Sequence, residues 1–148
     1  MAAFSGKGYV GNWTPEGIIG ATEAALARAA KKSALLVERD AKILVSRPGP
    51  TKTHGEGESV GGETIRASAP GEPPRKRLGL LRSSIGSEKA NDSGTIMRVG
   101  TNLDYGFFLE FGTKRGLAPR PWLRPALKQN RQRIRRIFIE EAKKGKNE

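Results

Sequence analysis

The sequence predicts an α+β fold: a long N-terminal helix and a C-terminal helix packed on a small antiparallel sheet, with a long Gly/Pro-rich loop between. Three observations carry that expectation. A proline-free stretch from about Pro15 to Val45 repeats its apolar residues at helical spacing. Two short segments flank Asn91-Asp92-Ser93-Gly94, which is good turn chemistry for a hairpin. A second helical pattern, strongly basic on one side, follows Pro125.

Residues 1–13 are Gly-rich and form an arm without a core of its own, leaving 14–148 as a single domain. Thr14-Pro15 offers a side-chain cap followed by proline at the first helical position, so a helix is expected over 14–45. Its length would be about 45 Å at the standard rise. One face carries Ile19, Leu26, Ala30, Ser33, Val37, Ala41 and Leu44, and the opposite one Arg28, Lys31, Lys32, Glu38, Arg39 and Lys42. Asp40 lies near the apolar stripe, and Leu35 points out among the charges, either as a scattered surface leucine or as a subunit contact.

Arg47-Pro48-Gly49-Pro50 stops this helix and opens an extended loop over 46–78, rich in glycine and proline and without an apolar period. Ordering on a partner is the natural expectation for such a segment. The sheet and motif region spans 79–127. Leu78 to Ile85 reads as a short turn of helix or a strand entrance, Ser83–Lys89 and Thr95–Thr101 as the two strands. Asp104 is placed to cap a short helix through Tyr105, Phe107, Phe108, Leu109 and Phe111, ended by a left-handed turn at Gly112; as the most aromatic stretch of the chain, it is expected to anchor the core. Prolines 119, 121 and 125 stiffen the connector into a basic helix over 125–143 with Leu123, Leu127, Ile134 and Phe138 on its apolar face.

Composition removes several function classes. Cysteine is absent, so there is no disulfide framework, thiolate nucleophile or thiolate metal site. The sole histidine, His54, sits in a Gly-rich loop without a partner ligand at metal-binding spacing. The Gly55-Glu56-Gly57 and Gly61-Gly62 stretches lack the strand and helix that a phosphate cradle needs, and Asp104 and Glu110 come without a signalled cleft. The expectation is a protein that is not an enzyme, with no metal and no cofactor. No apolar run spans a bilayer and the N-terminus lacks a signal-peptide core, so a soluble protein made in the cytoplasm is expected. The net charge of +12 speaks to partners: nucleic acid, or acidic protein neighbours.

Four pieces of the second half, in order, make a specific pattern. Ala69-Pro70-Gly71-Glu72-Pro73-Pro74 is followed by Leu80-Leu81-Arg82-Ser83-Ser84-Ile85, then by Tyr105 to Thr113, then by Pro119-Arg120-Pro121-Trp122-Leu123-Arg124-Pro125-Ala126-Leu127. Together they closely resemble the head–tail connector family of long-tailed bacteriophages, also called tail-completion or neck proteins. The chain departs from the family pattern at Leu78-Gly79 (commonly Thr-Gly), Gly106 (usually alanine) and Trp122 (commonly phenylalanine).

The resemblance implies a structural virion protein, made in the host cytoplasm and residing in the neck, that forms a homo-oligomeric ring (a hexamer) joining the DNA-filled head to the tail. Its partners would be copies of itself and neighbouring neck and tail proteins, with double-stranded DNA passing through the channel. Alternatives are a tail terminator ring, or a free basic protein that binds nucleic acid without sequence preference. The residues expected at subunit or ring contacts are Leu35, Tyr105, Glu110, Gly112, Thr113, Arg120, Trp122 and Arg124. Phe107, Phe111 and Leu123 are read as scaffold. Glu110 is expected to pair with Arg120 or Arg124, within a subunit or across a ring seam. Arg131, Arg133, Arg135 and Arg136 are the candidate contacts to DNA or to an acidic partner, with protein docking favoured because DNA must slide through the ring.

Overall fold

The computed structural model describes residues 23–47, 58–60, 63–65, 68–74, 76 and 79–145. The elements in chain order are α1 (Glu23–Leu44), β1 (Glu58–Val60), β2 (Glu63–Ile65), α2 (Leu80–Ser84), β3 (Ile85–Lys89), β4 (Met97–Thr101), α3 (Asp104–Phe111) and α4 (Leu123–Gly145). The fold is α+β, two long helices with a small two-stranded antiparallel sheet. Strands β1 and β2 form a separate antiparallel pair within the segment expected to be structureless, in register from Glu58 opposite Ile65 to Val60 opposite Glu63. The Thr14-Pro15 start, Ile19, the N-terminal arm and His54 lie outside the described residues.

Helix α1 buries Ala25, Ala29, Ala30, Ser33, Ala34, Val37, Ala41 and Leu44. So many alanines let the facing backbones approach closely while keeping helix propensity high. The stripe meets α4, which buries Leu123, Ala126, Ile134, Phe138 and Ala142, and also meets β3 and β4. Trp122, Leu81, Ile85, Met97 and Val99 complete the core. Arg28 reaches Glu141 near the end of α4 and Asp40 receives a bond from Asn130 near its middle, so the two helices run antiparallel.

Strands β3 and β4 pair from Ile85 opposite Thr101 to Lys89 opposite Met97. The predicted turn closes them. Gly94 N–H donates to Asn91 O at 3.2 Å, and the Asn91 side chain holds Ser93, Thr95 and the Ile96 N–H. Met97 and Val99 are buried in the core. Glu38 ties this sheet to α1, accepting a bond from Ser87 Oγ at 2.7 Å while pairing with Lys42.

Two polar contacts bridge the long helices. Asn130 is buried and donates from Nδ2 to Asp40 Oδ2 at 2.7 Å and to Ala126 O at 2.8 Å. Burial works against the Asp40 carboxylate, but bonds from Asn130 and Arg39 outweigh it and hold the carboxyl below its ordinary value. Glu141 accepts from Lys32 at 2.6 Å, Arg28 at 3.1 Å and Lys144 at 3.3 Å.

The Lys32 bond is the largest influence on the Glu141 carboxyl. Burial opposes it, Arg28 and Lys144 add to it, and the group sits at about 2 instead of near 4.5. Because the folded value is depressed, the stabilisation is fully present above about pH 4.5 and is lost as pH falls toward about 2. Lys32 and Arg28 are 55% and 39% exposed, so screening reduces the effect to about 1–2 kcal/mol. Thermal melts of wild type and Glu141→Gln should differ at neutral pH and converge only as pH falls to about 2.

Candidate functional site

The residues singled out by motif converge where α3 ends and α4 begins. Helix α3 is short and lies against β4. A Cβ at Gly106 would fall 2.5 Å from Thr101 Cγ2, so the departure from alanine at this position is required by the close approach of helix to strand. Asp104 is the first residue of α3 and not its cap: the preceding residue is Leu103, with no side-chain bond closing the end. Instead the Leu103 N–H is taken by Thr101 Oγ1.

The aromatic helix does not anchor the core. Tyr105, Phe108 and Phe111 are 41%, 44% and 44% exposed, and only Gly106 and Glu110 of α3 are buried. With eight residues, α3 has a single inward line, and Gly106 and Glu110 occupy it at i, i+4. Phe107 and Phe111 pack on each other at 5.1 Å, and the Arg124 guanidinium lies 4.8 Å over the Phe111 ring. The scaffold reading therefore holds for Leu123, which is buried, and fails for Phe111.

Gly112 leaves α3 at φ 76°, ψ −176°, which is not the expected left-handed helical turn but an extended backbone of positive φ, essentially restricted to glycine. A Cβ there would also lie 2.5 Å from Leu117 O. Thr113 and Leu117 close the following loop: Thr113 N–H donates to Leu117 O at 2.9 Å, and Leu117 N–H to Thr113 Oγ1 at 3.3 Å. The chain then returns along α3, with Arg120 N–H donating to Leu109 O at 2.6 Å.

Glu110 organises this return. Its side chain is completely buried, and Oε2 accepts the Trp122 and Leu123 N–H groups at 2.7 and 2.9 Å. Oε1 accepts the Arg124 N–H at 3.1 Å and Arg124 Nε at 2.8 Å, while the same guanidinium donates to Glu110 O at 2.9 Å. A carboxylate from one helix thus satisfies the free N–H groups at the start of the next, where the helix dipole also favours negative charge. Trp122 is fully buried, with Nε1 donating to Gly106 O at 3.0 Å.

Of the two expected partners of Glu110, the structure selects Arg124, within the chain. Arg120 instead donates to Ser68 O at 3.0 Å. That bond, together with Gly71 N–H to Pro119 O at 2.8 Å, docks the 68–74 turn on the proline connector. This turn, closed by Glu72 N–H to Ala69 O at 3.1 Å, joins two of the four motif pieces in space.

Of the residues expected at subunit contacts, Glu110 and Trp122 act inside the chain and present no surface, because the helix start and the core consume them. Tyr105, Arg124 and Leu35 do remain outward. On α4, Arg131, Arg135 and Arg136 are exposed to solvent, and Lys128, not singled out by sequence, joins them. Arg133 is exposed as well, and lies near enough to Asp40 to help lower its carboxyl. Among the described residues, no group of three or more His, Cys, Asp or Glu side chains gathers as a metal site, and no helix is long and apolar enough to cross a membrane.

No family model, no curated protein and no solved structure matches this chain.

Proposed function

We propose that the protein is a structural subunit of the neck of a long-tailed bacteriophage, assembling as a ring that joins the DNA-filled head to the tail. The observation that carries this reading is the ordered pattern from Ala69 to Leu127, which resembles the head–tail connector family. Its internal use supports the reading. The polar, glycine and proline members fix the angle at which α4 leaves α3, through Glu110, Gly112 and the 119–121 connector. The aromatic members Tyr105, Phe108 and Phe111 stay outward, where a chain that meets copies of itself needs them.

A ring demands head-to-tail contacts that close by rotation, and closure requires a rigid subunit. The Glu110 clip supplies such rigidity between the two halves of the motif. Function then resides in binding and not in chemistry. A tail terminator ring shares the same logic. The competing reading, a free basic protein on nucleic acid, draws on the net charge and on the acid-free, arginine-rich stretch of α4 from Leu123 to Ile139.

Electron micrographs of the purified chain test the proposal. Closed rings with one rotational symmetry, sixfold by the family resemblance, are the expected result. Dispersed single chains that bind DNA, with no closed particle, would overturn it in favour of the competing reading.

A further inference from the structure

The outer side of α4 is a cationic strip whose charges no carboxylate among the described residues neutralises. From Leu123 to Ile139 the helix contains no aspartate or glutamate, and Lys128, Arg131, Arg135 and Arg136 are exposed. At 100° and 1.5 Å per residue, Lys128, Arg131 and Arg135 fall within an arc of about 60° and rise about 10 Å, with Arg136 about 80° round the helix from Lys128. Three neighbouring carboxylates are engaged elsewhere, and Glu140, exposed one turn beyond Arg136, makes no ion pair with the strip among the described residues. Glu110 holds Arg124, Asp40 holds Arg39 and Asn130, and Glu141 holds Arg28, Lys32 and Lys144. Among the described residues no carboxylate pairs with the four.

We infer that Lys128, Arg131, Arg135 and Arg136 form a contact site for the phosphate backbone of duplex DNA, read without regard to sequence. Three features choose this occupant over an acidic protein or a single strand. Protein interfaces are centred on aromatic or apolar anchors, and the strip has none before Ile139; among the described residues the exposed aromatics lie on α3. Single-strand sites need aromatic rings for bases to stack on, and this side of α4 carries no exposed ring. What remains is a line of cations and glutamines, matched by charge to a duplex with about one phosphate per 1.7 Å of axis. Sliding, the ground on which the sequence reading favours protein docking, does not exclude these contacts, because flexible cations exchange one phosphate for the next without reading bases. The site names a partner for the proposed connector but does not need a ring to exist.

The test is fluorescence anisotropy of the full chain with a short labelled duplex of mixed sequence, titrated over a range of salt, with oligomeric state recorded in the same samples. The combined variant Lys128→Ala, Arg131→Ala, Arg135→Ala should bind more weakly and lose about 2–3 from the slope of log K against log salt. Three results would overturn the site: no duplex binding by wild type at low salt, an unchanged slope in the combined variant, or tighter binding of polyglutamate or single-stranded oligothymidylate than of duplex. Loss of ring formation with the slope effect intact would sink the connector reading and leave this site standing.

Discussion

Replacing Glu110 with alanine is expected to lower the free energy of unfolding by about 3–5 kcal/mol, a large share of what a domain of this size has. The variant leaves three N–H groups at the start of α4 without their acceptor, two of them buried away from water. It also strands the Arg124 guanidinium, which then keeps only the Glu110 backbone carbonyl and the Phe111 ring. Glu110→Gln should lie between the two, since its amide keeps one acceptor oxygen but turns an NH2 group toward N–H donors. Urea unfolding followed by circular dichroism measures both. Wild-type stability in Glu110→Ala would mean that the α3–α4 junction is held by packing alone.

The second large effect is expected at Trp122. Truncation to alanine removes the largest fully buried side chain and should cost about 3–5 kcal/mol. Trp122→Phe, which restores the residue common in the family pattern, keeps most of the apolar contact. It loses the indole bond to Gly106 O, and so should cost about 1 kcal/mol. The two positions are coupled, because Trp122 contributes both its backbone N–H to Glu110 and its ring to Gly106, four residues earlier on α3. A double variant should therefore lose less than the sum of the two single losses. Additive losses in the same urea experiment would show that clip and indole act independently.

The parts of the fold that were legible in the sequence were those with a strong period or specific turn chemistry. Helix α1 follows its apolar stripe from Leu26 to Leu44, the β3–β4 hairpin closes on Asn91 to Gly94, and α4 buries Leu123, Ile134 and Phe138 as expected. Helix α3 departs from the expectation because hydrophobic content alone does not set burial in so short a helix. In eight residues the direction of each side chain matters more, and the inward line went to Gly106 and Glu110. The β1–β2 pair lay within a stretch whose glycines mask any alternation.

Glu110 was singled out for the right chemistry, but its use as a remote cap was missed. The available signal was the start of α4 itself: Trp122-Leu123-Arg124-Pro125 offers no Ser, Thr, Asp or Asn at its head, so an acceptor had to come from elsewhere. Asp40 was noticed near one apolar stripe, whereas Asn130, its complement on the other, was not; read together, two polar residues on facing stripes forecast their bond. The pairing of Arg120 with the 68–74 turn had no local signal, because it depends on how the connector folds back.

These features bear on assembly through rigidity. The exposed α3 aromatics sit on a helix fastened at one end by Glu110 and at the other by the Gly106–Thr101 contact, so they form a fixed surface. A fixed surface loses little conformational entropy on association, which is what a closed ring of identical subunits requires.

Sedimentation of the purified wild-type chain puts the connector reading at most direct risk. The account predicts one sharp species whose mass is a single fixed multiple of 16.0 kDa, unchanged as loading is raised. A chain that sediments at 16.0 kDa throughout that range, fully folded and alone, would contradict it.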